Sequence, residues 1–281
     1  MLNLLAKEDM NISQMCETLK IPQSTCTSNI KILEAADLVE SRQAPGVSHG
    51  TQKICSLKYT KTLLPVISTE ARKTAEKNFV TAMPIGLFTD FSIQPPCGMC
   101  SKDKMIGIFD NVSTFLSPDR ARAELLWFTW GFIKYRFPKD FPPEAVIKSV
   151  SFSAEICSEY PGHNNDWPSD ISLGINGVDV GTWTSPGDMG GDHGSITPEW
   201  WENENTQYGF LTKWKINTHG TWIADKLIST VSVNDLQVHK FTSITVQIGV
   251  KEAAKNRGGI NIFGSKFGNF SQNLLLEIET A

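Results

Sequence analysis

No run of eighteen apolar residues occurs in this chain of 281 residues, so no membrane-spanning helix is expected. The phosphate-cradling P-loop and the dinucleotide fingerprint are both missing, which leaves those cofactor chemistries without a carrier. The histidines (His49, His163, His193, His219 and His239) lie far apart, with neither H-x-x-H nor HExxH spacing. No metal centre is legible in them, and no cofactor is expected. Cysteine is sparse, at Cys16, Cys26, Cys55, Cys97, Cys100 and Cys157. Three of these sit where a small apolar residue would serve, which reads as reduced cytoplasmic cysteine rather than a disulfide framework. Cys97-Gly-Met-Cys100 is a lone pair: zinc needs four ligands, and a redox pair opens a helix in a βαβ unit. No signal peptide is expected, because Lys7, Glu8 and Asp9 interrupt the start with charge.

Positive charge is also scarce. The net charge is −4, an odd value for a nucleic-acid binder until the chain is divided. Residues 1–83 carry 10 Lys and Arg against 8 Asp and Glu, whereas residues 84–281 carry 16 against 22. The first part suits a phosphate backbone and the second does not.

The first part has the periodicity of two short helices. Ile12, Met15, Cys16 and Leu19 recur at i, i+3, i+4 and i+7 behind a plausible cap at Asn11. Lys20-Ile-Pro-Gln makes a turn, and a second helix over 23–36 buries Cys26, Ile30 and Leu33. Alternating residues from Leu38 to Arg42 and from Lys53 to Tyr59 predict a β-hairpin across the glycine-containing turn 44–51. This is the order of a winged helix-turn-helix. Its second helix offers Gln23, Ser24, Thr25, Thr27, Ser28 and Lys31 to base edges and phosphates. The wing offers Arg42, His49, Thr51 and Lys53. Residues 67–83, with Ala71, Ala75, Phe79 and Ala82 in a stripe, predict a connecting or dimerisation helix.

Ile12-Ser-Gln-Met15, Leu19-Lys-Ile-Pro-Gln-Ser-Thr25, Ile30-Lys-Ile-Leu-Glu-Ala-Ala-Asp-Leu-Val39 and the Arg42 strand resemble the ArsR/SmtB family of bacterial winged-helix repressors over residues 2–60. The resemblance implies a homodimer on a palindromic double-stranded operator, with release by a ligand. Separately, Leu2, Leu4, Leu5 and Met10 read as the end of a helix, which suggests that an earlier helical segment precedes Met1. The metal-sensing members carry a cysteine cluster on the first helix of the motif, where only Cys16 stands here; another type uses Asp, His and Glu on the C-terminal helix, and residues 67–83 hold no His or Asp. Metal sensing is therefore not carried over.

Beyond Pro84 the pattern changes to strands, over 87–93, 125–135, 145–153, 170–175, 212–216, 243–250 and 273–279. The fold class expected is α+β multidomain: a winged helix-turn-helix over 1–66, the connecting helix over 67–83, and an antiparallel β-sandwich of jelly-roll type over 84–281. Trp183 to Gly194 reads as a turn cluster and Gly258 to Gly264 as a tight hairpin. Pro96-Cys-Gly98, Asn164-Asn-Asp-Trp167, Gly181-Thr-Trp-Thr-Ser-Pro-Gly187 and Gly258-Gly-Ile-Asn-Ile-Phe-Gly264 resemble regulators in which such a motif is fused to a jelly-roll or galactose-binding-like domain. All eight tryptophans follow residue 100. Trp130, Asn164, Asn165, Asp166, Trp167, Asp170 and Trp183 combine aromatic faces with hydrogen-bonding groups, as a saccharide site requires. The competing reading is that the tryptophans fill the core and the asparagines make turns. The function expected is a non-enzymatic transcriptional regulator, a repressor, sensing a small molecule or saccharide. An interaction or dimerisation module is the first alternative. A carbohydrate-active enzyme is the second, with Glu155, Glu159, Asp166 and Asp170 as its carboxylates.

Overall fold

The computed structural model describes residues 1–6, 8–36, 38–45, 51–58 and 78–281. The chain divides into two compact units, Met1–Ala71 and Arg72–Ala281.

In the N-terminal unit, α1 (Leu2–Leu5) precedes β1 (Met10–Asn11), α2 (Ile12–Leu19), α3 (Gln23–Ala35), β2 (Val39–Pro45) and β3 (Thr51–Leu57). Asn11 caps α2 reciprocally. Its side chain accepts from the Gln14 amide at 2.8 Å, and the Gln14 side chain accepts from the Asn11 amide at 2.8 Å. The helix stops where Lys20 turns left-handed, and Pro22 caps α3 from an extended conformation. Met15 of α2 packs with Cys26 and Ile30 of α3, Val39 of β2 and Cys55 of β3 in one small core. The strands pair in the order β1-β3-β2, which gives the motif its wing.

The C-terminal unit is a β-sandwich. Its strands are β4 (Asn78–Met83), β5 (Asp90–Cys100), β6 (Met105–Ile106), β7 (Leu125–Phe137), β8 (Ile147–Cys157), β9 (Ser169–Ile175), β10 (Val178–Ser185), β11 (Phe210–Asn217), β12 (Gly220–Ile223), β13 (Lys226–Ser229), β14 (Ile244–Val250), β15 (Ile260–Phe263) and β16 (Leu274–Thr280). One layer runs β10-β9-β14-β7-β5-β6 and the other β13-β12-β11-β8-β16-β4. Strand β15 pairs with both β7 and β8, so hydrogen bonding passes from one layer to the other. All pairings are antiparallel, and the period of two sends alternate residues inward. Ile171, Leu173 and Ile175 of β9, Val246 and Ile248 of β14, and Leu274, Leu276 and Ile278 of β16 join one continuous core. Phe152 links the layers through a ring contact with Phe137 at 6.4 Å and meets Trp214 of the neighbouring strand β11 at the same distance. The Tyr135 hydroxyl, fully buried, donates to the Ile85 carbonyl at 2.7 Å.

Three expectations change. Asn78–Met83 is not the end of a connecting helix but an edge strand paired with β16; the rest of that stretch, residues 67–77, lies outside the described residues. The helical stripe used Phe79 and Ala82. Alternation turns Phe79 and Met83 onto the core instead, and β16 supplies the backbone partners. The 258–264 stretch is not a hairpin either, since Ile260–Phe263 is the strand between β7 and β8. Trp183 to Ser185 belongs to β10 rather than to a turn cluster.

Candidate functional site

On α3, Gln23, Ser24, Thr25, Ser28 and Lys31 are exposed. Thr27 is half-buried, and its hydroxyl donates to the Gln23 carbonyl at 2.8 Å, one turn back. The same helix exposes Asn29 and Ile32, which polarity alone did not single out; Ile32 is 65% exposed. In the wing, Thr51 is exposed and Arg42 lies 3.6 Å from Asp9. Lys53 is instead paired with Glu34 at 2.7 Å. Its hydrogen bond holds the Glu34 carboxyl below the usual carboxylate range, helped by a second bond from Ser41. His49 lies outside the described residues.

The sandwich carries a groove of about 640 Å³ on the outer face of its first layer. Strand alternation builds it. Trp130, Phe132, Lys134 and Arg136 project outward from β7, while Ile133, Tyr135 and Phe137 between and beyond them are fully buried. Thr245, Gln247 and Gly249 come from the neighbouring β14, and Ser172 and Gly174 from β9. The floor is therefore small side chains, with the aromatics and long polar groups rising from β7. Gly249 admits nothing larger, because an added Cβ would lie 2.0 Å from the Gly131 carbonyl oxygen. From Trp130 to Arg136 is six residues, roughly 20 Å of strand. Lys134 sits with its ammonium 4.9 Å from the Phe132 ring centroid and 3.0 Å from the Asp90 carboxylate. Lys251 pairs with Asp179.

The hairpin Asn176-Gly177 closes the end nearest Arg136. Both residues have left-handed φ, 51° and 82°, as a tight two-residue turn between twisted strands demands. The Asn176 side chain accepts from the Thr245 amide at 2.9 Å and donates to the Leu236 carbonyl at 3.0 Å, which fixes that end.

The seven residues expected to bind ligand are not brought together. Trp130 alone lines the groove. Trp183 is half-buried against the core, its ring 5.8 Å from that of Phe210. Asp170 accepts from the Thr184 hydroxyl at 2.8 Å and from the Asn256 amide at 2.9 Å. Partial burial works against ionisation there, but these bonds hold the carboxyl below its usual value. The other four lie in loops. Asn164 accepts from the Asp166 amide at 3.0 Å, Asn165 from the Gly190 amide at 3.1 Å, and Trp167, 39% exposed, meets Tyr160 edge-on at 5.0 Å. These are turn-making bonds around Asp188, which is fully buried and accepts from the Tyr160 amide at 2.8 Å and the Thr206 hydroxyl at 2.9 Å. Burial pushes Asp188 up to about 7.

Among the carboxylates weighed for glycoside chemistry, Asp166 is exposed on a loop. Glu155 accepts from three backbone amides, Gly209 at 2.9 Å, Asn269 at 2.8 Å and Phe270 at 2.9 Å. Burial still pushes it up to about 7. Burial, reinforced by the Asp110 charge, takes Glu159 to the same value. No cluster of metal-ligating side chains occurs among the described residues, and none of their helices is long and apolar enough to cross a membrane.

The groove residues missed in the sequence had a signal. Trp130, Phe132, Lys134 and Arg136 share one parity within a strand, and Asn176-Gly177 is a hairpin signature. What the parity lacked was the identity of the neighbouring strands.

Two helices, a tight turn and a β-wing thus make a winged helix-turn-helix, fused in this chain to an antiparallel sandwich. Residues 1–41 match the family described as bacterial regulatory protein, arsR family. No curated protein matches the chain. Among solved structures, the CBM36-1 domain of a multidomain xylanase from the hindgut metagenome of Trinervitermes trinervoides is 12% identical, with 73% of this chain and 98% of that chain covered and a TM-score of 0.32. A carbohydrate-binding module CBM36 in complex with calcium and xylotriose is 10% identical, over 70% of this chain and 98% of that one, with a TM-score of 0.30. The Agl-KA catalytic domain is 10% identical over 56% of this chain and 21% of that one, with a TM-score of 0.27. Likenesses this distant transfer no ligand and no activity.

Proposed function

We propose that this protein is a DNA-binding transcriptional regulator, a repressor, whose β-sandwich senses a saccharide. One observation carries the reading: a helix-turn-helix that matches the arsR family is fused to a sandwich whose outer face bears a groove lined by aromatic and polar side chains. The exposed polar face of α3 suits base edges and phosphates. Trp130 and Phe132 suit the C–H face of a sugar, while Gln247, Thr245 and Ser172 suit its hydroxyls. The working form proposed is a cytoplasmic homodimer on a palindromic operator, in keeping with six cysteines that are all free. For control, the saccharide must favour one DNA-binding geometry over another, since equal affinity for both shifts nothing.

The test uses the full chain. DNA fragments selected from a random duplex pool are titrated by fluorescence anisotropy, with and without members of an oligosaccharide panel. At least one sugar is expected to change DNA affinity, and Trp130→Ala to weaken that sugar about fivefold or more while DNA affinity alone stays unchanged. Absence of duplex selection overturns the regulator, and absence of any sugar effect overturns the saccharide sensor.

A further inference from the structure

We infer that the groove takes an anionic oligosaccharide, its acid group docking on Arg136; this rests on the saccharide reading above. The groove is polarised along its length. Trp130 and Phe132 stand at one end and Lys134 and Arg136 at the other, all on the outward face of β7 and roughly 20 Å apart at the extremes. A single sugar fills only part of that span, so the groove suits a chain that lies along the strand.

The cationic end is then decided by which charges are already matched. At that end Lys134 is held by Asp90 at 3.0 Å, while Lys251, which follows β14 at the Trp130 end, is held by Asp179. Arg136 is exposed and makes no ion pair with any described residue. Its register partner across the sheet is Thr245, a short hydroxyl that leaves the guanidinium clear. A guanidinium is a planar fork of donors that matches a carboxylate or phosphate two bonds at a time. It stands on a unit whose residues 84–281 carry 16 basic against 22 acidic side chains, so this cationic end is a local exception to the sign of its surroundings. The carboxylate of Glu252 lines the groove too, but it follows β14 at the Trp130 end, away from Arg136. The ligand class that satisfies both ends is an oligosaccharide with stackable rings and an oxyanion, either a uronate carboxylate or a phosphate ester.

The test is calorimetric titration of the full-length chain and its Arg136→Gln variant. Galacturonate, glucuronate and mannuronate trisaccharides, their carboxyl-reduced neutral counterparts, and the same neutral trisaccharides bearing a phosphate ester serve as probes. The wild type is expected to prefer an acidic probe by about tenfold, and the variant to lose that preference while binding the neutral probes as before. The preference should shrink as salt is raised. A preference for uronates assigns the anion as carboxylate, and one for the esters assigns it as phosphate. Neutral probes binding as well as acidic ones, or a preference that survives in Arg136→Gln, overturns the assignment and leaves the saccharide sensor standing. Binding of no probe overturns both.

Discussion

Replacing Glu155 by Gln isolates a buried carboxylate that the fold uses as a latch. Its two oxygens receive the amides of Gly209, Asn269 and Phe270, which tie two loops to the end of β8. Glutamine keeps one acceptor oxygen, enough for Gly209 and Asn269. It then presents an NH2 group to the Phe270 N–H, leaving a buried donor unmet at a cost of about 1–3 kcal/mol. The charge acts in the opposite sense. The Glu155 carboxyl moves from 4.5 to about 7 on folding. Below the unfolded value both states are protonated and nothing is lost. As pH rises towards the folded value the unfolded chain ionises first, so stability falls, and above it the penalty is constant. Between pH 5 and pH 8 that amounts to roughly 2–3 kcal/mol in the wild type and to nothing at this position in the variant. Glu155→Gln is therefore expected to be less stable than the wild type at pH 5, with the gap closing or reversing by pH 8. Urea unfolding followed by tryptophan emission measures this for the sandwich alone, because all eight tryptophans lie in it. A gap that stays the same at both pH values would refute the burial argument.

Trp183→Ala is expected to cost about 3 kcal/mol in the same unfolding assay, since the ring packs on the core and on Phe210; a loss of sugar binding at unchanged stability would instead restore its reading as a ligand contact. Lys31→Ala should weaken duplex binding across sequences and lower the salt slope by about one, measured by anisotropy over a salt series. An unchanged slope removes Lys31 from the phosphate contacts.

Much of the N-terminal motif was legible because its determinants are local. The Asn11 cap, the Ile12-Met15-Cys16-Leu19 stripe and the Pro22 turn each act within one or two helical turns, and each appears where periodicity put it. Strands β7, β9, β14 and β16 were legible for the same reason, through alternation along a single segment. Residues 78–83 were misread because helix and strand stripes overlap on Phe79, and only the partner strand β16 decides between them.

The candidate site divides along the same line. The sequence by itself determined that there are two units of opposite charge, that α3 presents a polar face, and that the tryptophans belong to the second unit. It could not sort those tryptophans. Trp130 and Trp183 look alike in a strand and both pack partly against the core, yet only Trp130 also lines the groove. Nor could it tell that Asn164, Asn165 and Asp170 make turns and latches. Only the tertiary structure placed Ser172, Gly174 and Gly249 beside Phe132, and left Arg136 without a carboxylate among the described residues while supplying one to Lys134 and Lys251. The physical reason is that a strand fixes which face a residue takes by local alternation, whereas the neighbours on that face arrive from strands more than a hundred residues away.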